Sequence, residues 1–197
     1  YNIDVCQPPK WLAQAQDKQV ILVPGQVEDD ASIVYGCTDV KTNLTLLKTA
    51  REAHPNGFVV YKVHPDVLAK NRKGKVNWRE LEQYADVIET ETSVVSCINA
   101  CDVVHTMTSL TGFDALLRGK KVVVYGRPFY AGWGLTQDRG ATFEPDRRKR
   151  ILSLDELVAG ALLHYPIYYD WELMGYTTCE AMLRTLLKQR EELIQSG

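Results

Sequence analysis

Short apolar runs bounded by turn residues alternate with stretches of helical period along this chain, and this alternation constrains the fold more than any other feature. The runs are continuously apolar, as are strands buried on both faces of a parallel sheet. Helical stretches between such strands indicate βαβ units. The pattern therefore predicts an α/β fold, a Rossmann-like parallel sheet with helices on both faces.

The same pattern predicts the individual strands and helices. The strands cover residues 19–23, 57–63, 86–88, 102–105 and 121–125. The helices cover residues 41–53, 78–85, 93–100, 110–118, about 154–164 and 178–194. Ser153 and Glu156 have capping-box spacing at the start of the fifth helix. Residues 126–140 are rich in glycine and aromatic residues without either period, which indicates a structured, functional loop.

Length, charge and cysteine content limit the class of protein. The 197 residues, 45% hydrophobic and 24% charged, are enough for one compact domain. A formal net charge of -2 argues against nucleic-acid or anionic-membrane partners held by bulk electrostatics. The apolar runs are far shorter than the roughly 20 residues of a membrane span. Five cysteines without a C-x-x-C pair are typical of a reduced cytoplasmic protein.

The first residues of the chain were compared with the pattern of a secretory signal peptide. The chain begins without Met and without the basic and apolar segments of a signal peptide. We therefore expect a cytoplasmic domain excised from a longer protein.

Candidate binding residues follow four of the predicted strands. In an open parallel sheet ligands bind at the carboxyl ends of the strands, so residues just after each strand are the informative ones. The segments are PGQVEDDAS (24–32), KVHPD (62–66), TMTSLTGFD (106–114) and the glycine-aromatic loop with Arg127. Functional residues are therefore expected on one edge of the sheet.

Two of these segments suggest anion binding, each with a structural alternative. Ser109 or Thr108 can cap the following helix, whose N–H groups would bind a phosphate; an ordinary cap, with Gly112 allowing close helix–sheet packing, fits equally well. Lys62 before His64 and Pro65 after it indicate a phosphate or carboxylate site. A hydrogen-bonded histidine at the rim is the alternative.

The acidic and aromatic residues have two interpretations as well. Glu28, Asp29 and Asp30 form either a solvated turn or a carboxylate base or nucleophile at the mouth of the first strand. Tyr130 and Trp133 either stack on a base or sugar or pack the loop onto its own domain. Known cofactor motifs are absent: no G-x-G-x-x-G follows the first strand, and neither a P-loop nor a metal-ligand constellation occurs.

Several long segments carry a resemblance to a known family. VPGQVEDDASI (23–33), KVHPD (62–66), TSLTGFDALLRGKKVVVYGRPFYAGWGLTQDR (108–139) and LVAGALLHYP resemble the capsule polysaccharide synthesis proteins typified by KpsC. The resemblance spans most of the chain, and GRPFYAGWGLTQDR is its most specific part. Asp114 stands where the family more often has glutamate.

The resemblance implies a glycosyltransferase that transfers 3-deoxy-D-manno-oct-2-ulosonic acid (Kdo) from CMP-Kdo, with retention, to a glycolipid acceptor of the Gram-negative capsule. It implies a GT-B-like architecture of two Rossmann-like halves, with this chain as the C-terminal, donor-binding half and its final helices packing toward the other. The acceptor would be held by that other half. The resemblance also implies a protein without a metal or cofactor, cytoplasmic or peripheral at the inner membrane, and with capsule-assembly proteins as further partners.

The resemblance also gives roles to individual residues. Asp30 would be the nucleophile, flanked by Gln26 and Ser32, with Asp29 as the alternative nucleophile. His64 and Pro65 match a His-Pro motif that contacts CMP. Ser109, Thr111 and Gly112 match the segment that would hold the phosphate, and Asp114, Tyr130 and Trp133 complete the expected donor site. From their charge, rather than from the resemblance, we expect Lys62 and Arg127 to pair with the sugar carboxylate or the leaving phosphate.

Two other functions stay open on the sequence. A non-catalytic module that binds CMP and assembles capsule proteins would share the fold and the phosphate site. Another CMP-sugar transferase, of the sialic acid type, would share the phosphate site and differ around the loop.

Overall fold

The computed structural model describes residues 7–65, 77–140 and 148–196. Asp66 of the KVHPD segment and Cys6 lie outside the described residues. The chain divides into two compact units, residues 1–151 and 152–197. Nothing in the described part of the chain forms a helix long and apolar enough to cross a membrane.

A parallel sheet forms the centre of the first unit. Its strands are β1 Val20–Pro24, β2 Phe58–Lys62, β3 Val87–Glu89, β4 Val103–Thr106, β5 Lys121–Val124 and β6 Gln137–Asp138. They lie in the order β3-β2-β1-β4-β5-β6, and every neighbouring pair is parallel. The strand order reverses between β1 and β4, which makes the crevice at their carboxyl ends the expected place for a ligand. The predicted Rossmann-like α/β fold is confirmed.

Short helices connect these strands. They are α1 Leu12–Ala15, α2 Ala31–Gly36, α3 Asn43–Ala53, α4 Trp78–Leu81, α5 Val94–Ala100 and α6 Thr111–Leu116. Side-chain oxygens of Asp30, Thr42 and Ser93 accept backbone N–H bonds at the starts of α2, α3 and α5. These caps satisfy amide groups that the first helical turn leaves without partners, and so fix where each helix begins.

The hydrophobic core lies on both faces of the sheet. Helix α3 buries Leu46, Leu47 and Ala50 against one face, which includes Ile21 and Val59. Alternate strand residues point to the other face, where α5 packs on β1 and α6 packs on β4 and β5. Because both faces are covered, the strands are continuously apolar and their carboxyl-terminal edge remains accessible to ligands.

The second unit is helical with one hairpin. Helix α7 Leu154–Val158 starts at a capping box formed by Ser153 and Glu156, as predicted, and continues as a π-helix over Ala159–His164. Strands β7 Tyr168–Asp170 and β8 Gly175–Thr177 pair antiparallel, and helix α8 Cys179–Ser196 follows.

Predicted and observed elements differ at several points. All five predicted strands exist, with ends shifted by at most one residue. Helix α4 ends at Leu81 rather than 85, since the next residues form turns whose amides bond to Leu81 O. Helix α6 ends at Leu116 rather than 118, just before Gly119 at φ 69°. The sequence pattern did not predict helices α1 and α2, strand β6 or the β7–β8 hairpin.

Candidate active site

A cleft of about 470 Å³ lies at the carboxyl ends of β1, β2, β3 and β4, and we call it the His64 cleft. Its walls come from four loops, which supply Pro24, Gly25, Lys62, Val63, His64, Pro65, Thr90, Glu91, Thr92, Ser93, Val94, Ser109 and Thr111. The structure therefore brings together five of the predicted site residues: Lys62, His64, Pro65, Ser109 and Thr111.

Gly25 allows the loop after β1 to cross the end of β2. Its N–H donates to Lys62 O at 2.7 Å. A Cβ at this position would lie 2.7 Å from the Tyr61 hydroxyl and 3.1 Å from Lys62 O. Any larger residue would push the loop outward, so Gly25 permits the close approach that forms this wall of the cleft.

Lys62 is a largely buried residue that contributes a cation to the wall of the His64 cleft. The residue is only 9% exposed. Within the described ranges, its ammonium has neither a hydrogen-bond partner nor a carboxylate within ion-pairing distance. Burial lowers the pKa of this ammonium, while the Cys97 and Glu89 side chains oppose that shift. An ammonium that is partly desolvated and contacts no carboxylate is stabilised when an anion binds to it, so this wall favours an anionic ligand.

Glu89 organises the wall beside Lys62 and was missed in the sequence. Its buried carboxylate accepts bonds from Trp11 Nε1 (2.9 Å), Glu91 N (2.7 Å), Thr92 N (2.9 Å) and Thr92 Oγ1 (2.7 Å). Burial raises the pKa of this carboxyl, but the bonds from Thr92 and Glu91 and the Lys62 charge outweigh it, so the pKa lies below its usual range. Glu89 is the last residue of β3. Because ligand-binding residues occur at the carboxyl ends of parallel strands, its position next to the predicted third strand was a signal for it.

The loop before α6 differs from the predicted cap. The cap residue is Leu110, which makes no side-chain capping bond, so neither Thr108 nor Ser109 is the N-cap. Ser109 Oγ still accepts from Thr111 N at 3.2 Å and donates to Thr111 Oγ1 at 3.0 Å. Both hydroxyls therefore lie together on the cleft wall and can contact a polar ligand.

Tyr130 and Gly112 pack against each other. This contact favours a packing role over a ligand-binding role for both residues. Tyr130 is completely buried, and its hydroxyl donates to Ser109 O at 2.5 Å. A Cβ on Gly112 would collide with the Tyr130 ring and hydroxyl. Tyr130 therefore cannot stack on a base or sugar, and Gly112 provides close packing.

Trp133 also favours the packing alternative. It is partly buried, and its Nε1 donates to Phe129 O at 2.7 Å. The Arg148 guanidinium lies 5.6 Å from the centroid of its ring. These contacts hold the loop onto its own unit.

A second cleft, of about 530 Å³, lies beside the first, and we call it the Tyr35 cleft. It is lined by Ala31, Ser32, Tyr35, Gly36, Thr108, Leu110, Arg127, Pro128, Phe129 and Tyr130. The hydroxyls of Ser32 and Thr108 are 3.0 Å apart. Thr108 belongs to this cleft and Ser109 to the His64 cleft, so the two clefts adjoin at one peptide bond.

Gln26 lies buried next to that junction. It is 5% exposed; its Oε1 accepts from Thr108 N at 2.9 Å, and its backbone exchanges two bonds with the Asn43 side chain. Its Nε2 is buried and has no hydrogen-bond partner among the described residues. Gln26 therefore fastens the β1 loop to the β4 loop and to the start of α3.

The acidic cluster, Glu28, Asp29 and Asp30, has different surroundings at each residue. Glu28 Oε1 accepts from Asn43 N at 2.6 Å, and Asp30 Oδ1 accepts from Ser32 N at 2.8 Å as the N-cap of α2. Asp29 and Asp30 are exposed. Asp30 immediately precedes Ala31 and Ser32, which line the Tyr35 cleft.

Two further predictions concern Asp114 and metal ligands. Asp114 is half-buried in the first turn of α6, where its carbonyl accepts from Arg118. The part of the chain that the structure describes contains no group of three histidine, cysteine or acidic side chains able to hold a metal ion.

Comparison with known proteins gives the family. The family model described as capsule polysaccharide biosynthesis protein matches residues 8–168. The chain belongs to this family. It is 50% identical over 180 residues to the capsule polysaccharide modification protein LipA of Neisseria meningitidis serogroup B, covering 91% of the chain and 25% of LipA. It is 45% identical over 190 residues to the lipopolysaccharide-processing protein LpsZ of Rhizobium meliloti, covering 96% of the chain and 42% of LpsZ.

Two solved structures resemble the chain across most of its length. The Thermosulfurimonas dismutans KpsC β-Kdo 2,7-transferase matches with a TM-score of 0.79 and 44% identity, over 93% of this chain and 57% of that one. The β-Kdo 2,4-transferase of the same KpsC matches with a TM-score of 0.77 and 31% identity, over 91% and 55%. The KpsC-type resemblance is confirmed, and the chain spans between a quarter and somewhat over half of these relatives.

Proposed function

We propose that this chain is the donor-binding half of a Kdo transferase and that the His64 cleft holds the CMP part of CMP-Kdo. The observation that carries the proposal is Lys62, a largely buried residue that lines the cleft and whose ammonium has no ion-pair partner among the described residues. The kinship with KpsC transferases supports the choice of donor.

The surroundings of Lys62 suit a phosphate. Hydroxyl groups of Thr90, Thr92, Ser93, Ser109 and Thr111 occur around the same cleft. The Thr90 and Thr111 hydroxyls can donate hydrogen bonds to a ligand, whereas those of Thr92, Ser93 and Ser109 already donate to Glu89, Ser96 and Thr111. The Lys62 ammonium supplies a charge-assisted bond in a partly desolvated site. Binding of the anion compensates the buried charge of Lys62, and the same contacts stabilise the phosphate as it leaves.

Asp30 is the proposed nucleophile of a double displacement. An Asp30 carboxylate oxygen bonds to C2 of the donor sugar as the bond from C2 to the phosphate oxygen breaks, and CMP leaves with the electron pair. The acceptor hydroxyl then bonds to C2, loses its proton to a base, and releases Asp30. Two inversions give retention. The bond from Ser32 N–H orients the carboxylate at the start of the helix that lines the Tyr35 cleft.

The GT-B-like architecture is part of the proposal. In the second unit Tyr165, Ile167, Trp171 and Tyr176 are each more than three quarters exposed. Apolar surface on this scale supports packing against a further part of the protein. In that arrangement the glycolipid acceptor reaches the donor from the other half.

Replacing Lys62 tests the donor site. We expect Lys62→Met to weaken CMP binding about 10- to 100-fold in calorimetric titration, since a charge-assisted bond is lost. Lys48→Met, on the exposed face of α3, is the matched control and should bind CMP as the wild type does. Equal affinities for Lys62→Met and the control would refute the assignment of the cleft.

Replacing Asp30 tests the catalytic role. Asparagine caps helices as well as aspartate does, so Asp30→Asn should preserve α2 and CMP affinity. We expect it to lower Kdo transfer by the full-length protein at least about 10³-fold and to abolish any covalent sugar adduct seen by mass spectrometry. Asp29→Asn is the control. If Asp29→Asn loses transfer and Asp30→Asn keeps it, Asp29 is the nucleophile; if both keep transfer, neither carboxylate acts.

A further inference from the structure

The Tyr35 cleft has a composition different from that of the His64 cleft. Tyr35 is 86% exposed and Phe129 is 42% exposed, so two aromatic rings are accessible at its edge. The cleft also contains the paired hydroxyls of Ser32 and Thr108, and the Arg127 side chain. Aromatic faces, hydroxyls and one guanidinium together fit a ligand with an apolar face, hydroxyl groups and a negative charge.

The position of the Tyr35 cleft relates it to the transfer reaction. It adjoins the His64 cleft at the peptide between Thr108 and Ser109, and buried Gln26 fixes that junction through Thr108 N. Helix α2 carries Asp30 at its start and supplies Ala31, Ser32 and Tyr35 to the cleft. A nucleotide in the His64 cleft would therefore have its sugar near the Thr108–Ser109 border, beside the helix that Asp30 caps.

We propose that the Tyr35 cleft is a subsite for a carboxylated sugar, in which Arg127 pairs with the carboxylate and Tyr35 packs on the ring. A planar guanidinium binds a carboxylate through two parallel hydrogen bonds, which orients the sugar as well as attracting it. A sugar ring presents C–H groups on one face and hydroxyls at its edge, which matches Tyr35 on one side and the Ser32–Thr108 pair on the other. This inference rests on the proposed function, because it takes the His64 cleft to be filled by the nucleotide.

Binding of free Kdo to the full chain, in the presence of saturating CMP, tests the subsite. Saturation-transfer NMR measures such weak sugar binding, and galactose serves as the neutral control sugar. We expect Kdo to bind and galactose to bind at least about tenfold more weakly. Tyr35→Ala and Arg127→Gln should each weaken Kdo binding about tenfold. Tyr176→Ala removes a tyrosine that is 83% exposed in the second unit and should leave Kdo binding unchanged.

The outcomes separate this inference from the proposed function. If CMP binds but Kdo does not, or if Tyr35→Ala and Arg127→Gln bind Kdo as the Tyr176→Ala control does, the subsite is wrong and the donor site stands. If CMP itself fails to bind, the proposed function fails first. Tyr35 is so exposed that its replacement tests the cleft without risk to the fold.

Steady-state kinetics of the full-length protein then distinguish the source of the sugar. A Tyr35→Ala increase in KM that is larger for the acceptor than for CMP-Kdo assigns the subsite to the acceptor's sugar. A larger increase for CMP-Kdo assigns it to the donor's sugar. Unchanged values for both substrates overturn the subsite.

Discussion

At the scale of residues, His105 belongs to a buried polar chain outside the two clefts. Its Nδ1 lies 3.0 Å from the Tyr125 hydroxyl and its Nε2 lies 3.0 Å from His54 Nε2; His54 Nδ1 lies 3.1 Å from Gln19 Oε1. The Gln19 oxygen can only accept, so His54 Nδ1 donates to it. His54 Nε2 then accepts from His105 Nε2, and the Tyr125 hydroxyl donates to His105 Nδ1. Each ring is neutral in this arrangement.

The buried hydrogen-bonded side chains around His105 predict that acid lowers the stability of the protein. Burial, followed by the charges of His54 and Arg139, lowers the pKa of His105 from 6.5 to about 3. The unfolded chain therefore binds more protons between these values, and stability is complete above about pH 6.5 and decreases as the pH falls toward 3. We expect a loss of about 2 kcal/mol in the free energy of unfolding between pH 7.5 and 5.0 from this residue.

Urea denaturation at the two pH values checks this loss. His105→Gln should be less stable at pH 7.5 and should show a smaller decrease at pH 5.0. His164→Gln, at an exposed histidine, should behave as the wild type. A decrease in His105→Gln as large as in the wild type would contradict the assignment to His105.

The sequence predicted cleft residues better than packing residues. Lys62, His64, Ser109 and Thr111 share one cleft because parallel strands end at the same edge, a rule that needs only strand positions. The inward packing of Tyr130 depends on Gly112, which is distant along the chain. Local sequence carries no signal for such a pair, so stacking on a ligand and packing within the loop fitted the sequence of Tyr130 equally well.

At the scale of elements, continuously apolar strands were the most predictable part. Strands β1, β2, β4 and β5 are buried along most of their length, so their sequences carry a strong signal. Strand β6 has two exposed residues and exists through its pairing with β5. Tertiary pairing rather than residue type determines such an edge strand.

Helix α2 shows why short helices escape periodicity. It has six residues, Ala31–Gly36, of which only Ile33 is buried. Less than two turns give no repeating apolar face, and so short a helix depends on its cap and its neighbours. Its existence changes the interpretation of Asp30, which is a helix cap next to residues that line a cleft rather than part of an open turn.

At the scale of the whole molecule, the structure concentrates the proposed chemistry in one unit. Both clefts, the six-stranded sheet and the core cluster that includes Ile21, Leu46 and Val123 lie within residues 1–151. The second unit, residues 152–197, falls near the size below which a domain rarely buries enough apolar surface to fold alone. We therefore expect the first unit to fold and to bind the donor without the second, and the second unit not to fold alone.

A chain ending at Ile151 tests this asymmetry. We expect it to unfold cooperatively in urea and to bind CMP within about threefold of the full chain's affinity, since every residue lining the His64 cleft is retained. Residues 152–197 alone should lack a cooperative transition by circular dichroism. A shortened chain that folds cooperatively but loses CMP would mean that the second unit contributes to the donor site. A shortened chain without a cooperative transition would mean that the sheet depends on the second unit for its stability, and the division into an autonomous and a dependent unit would be wrong.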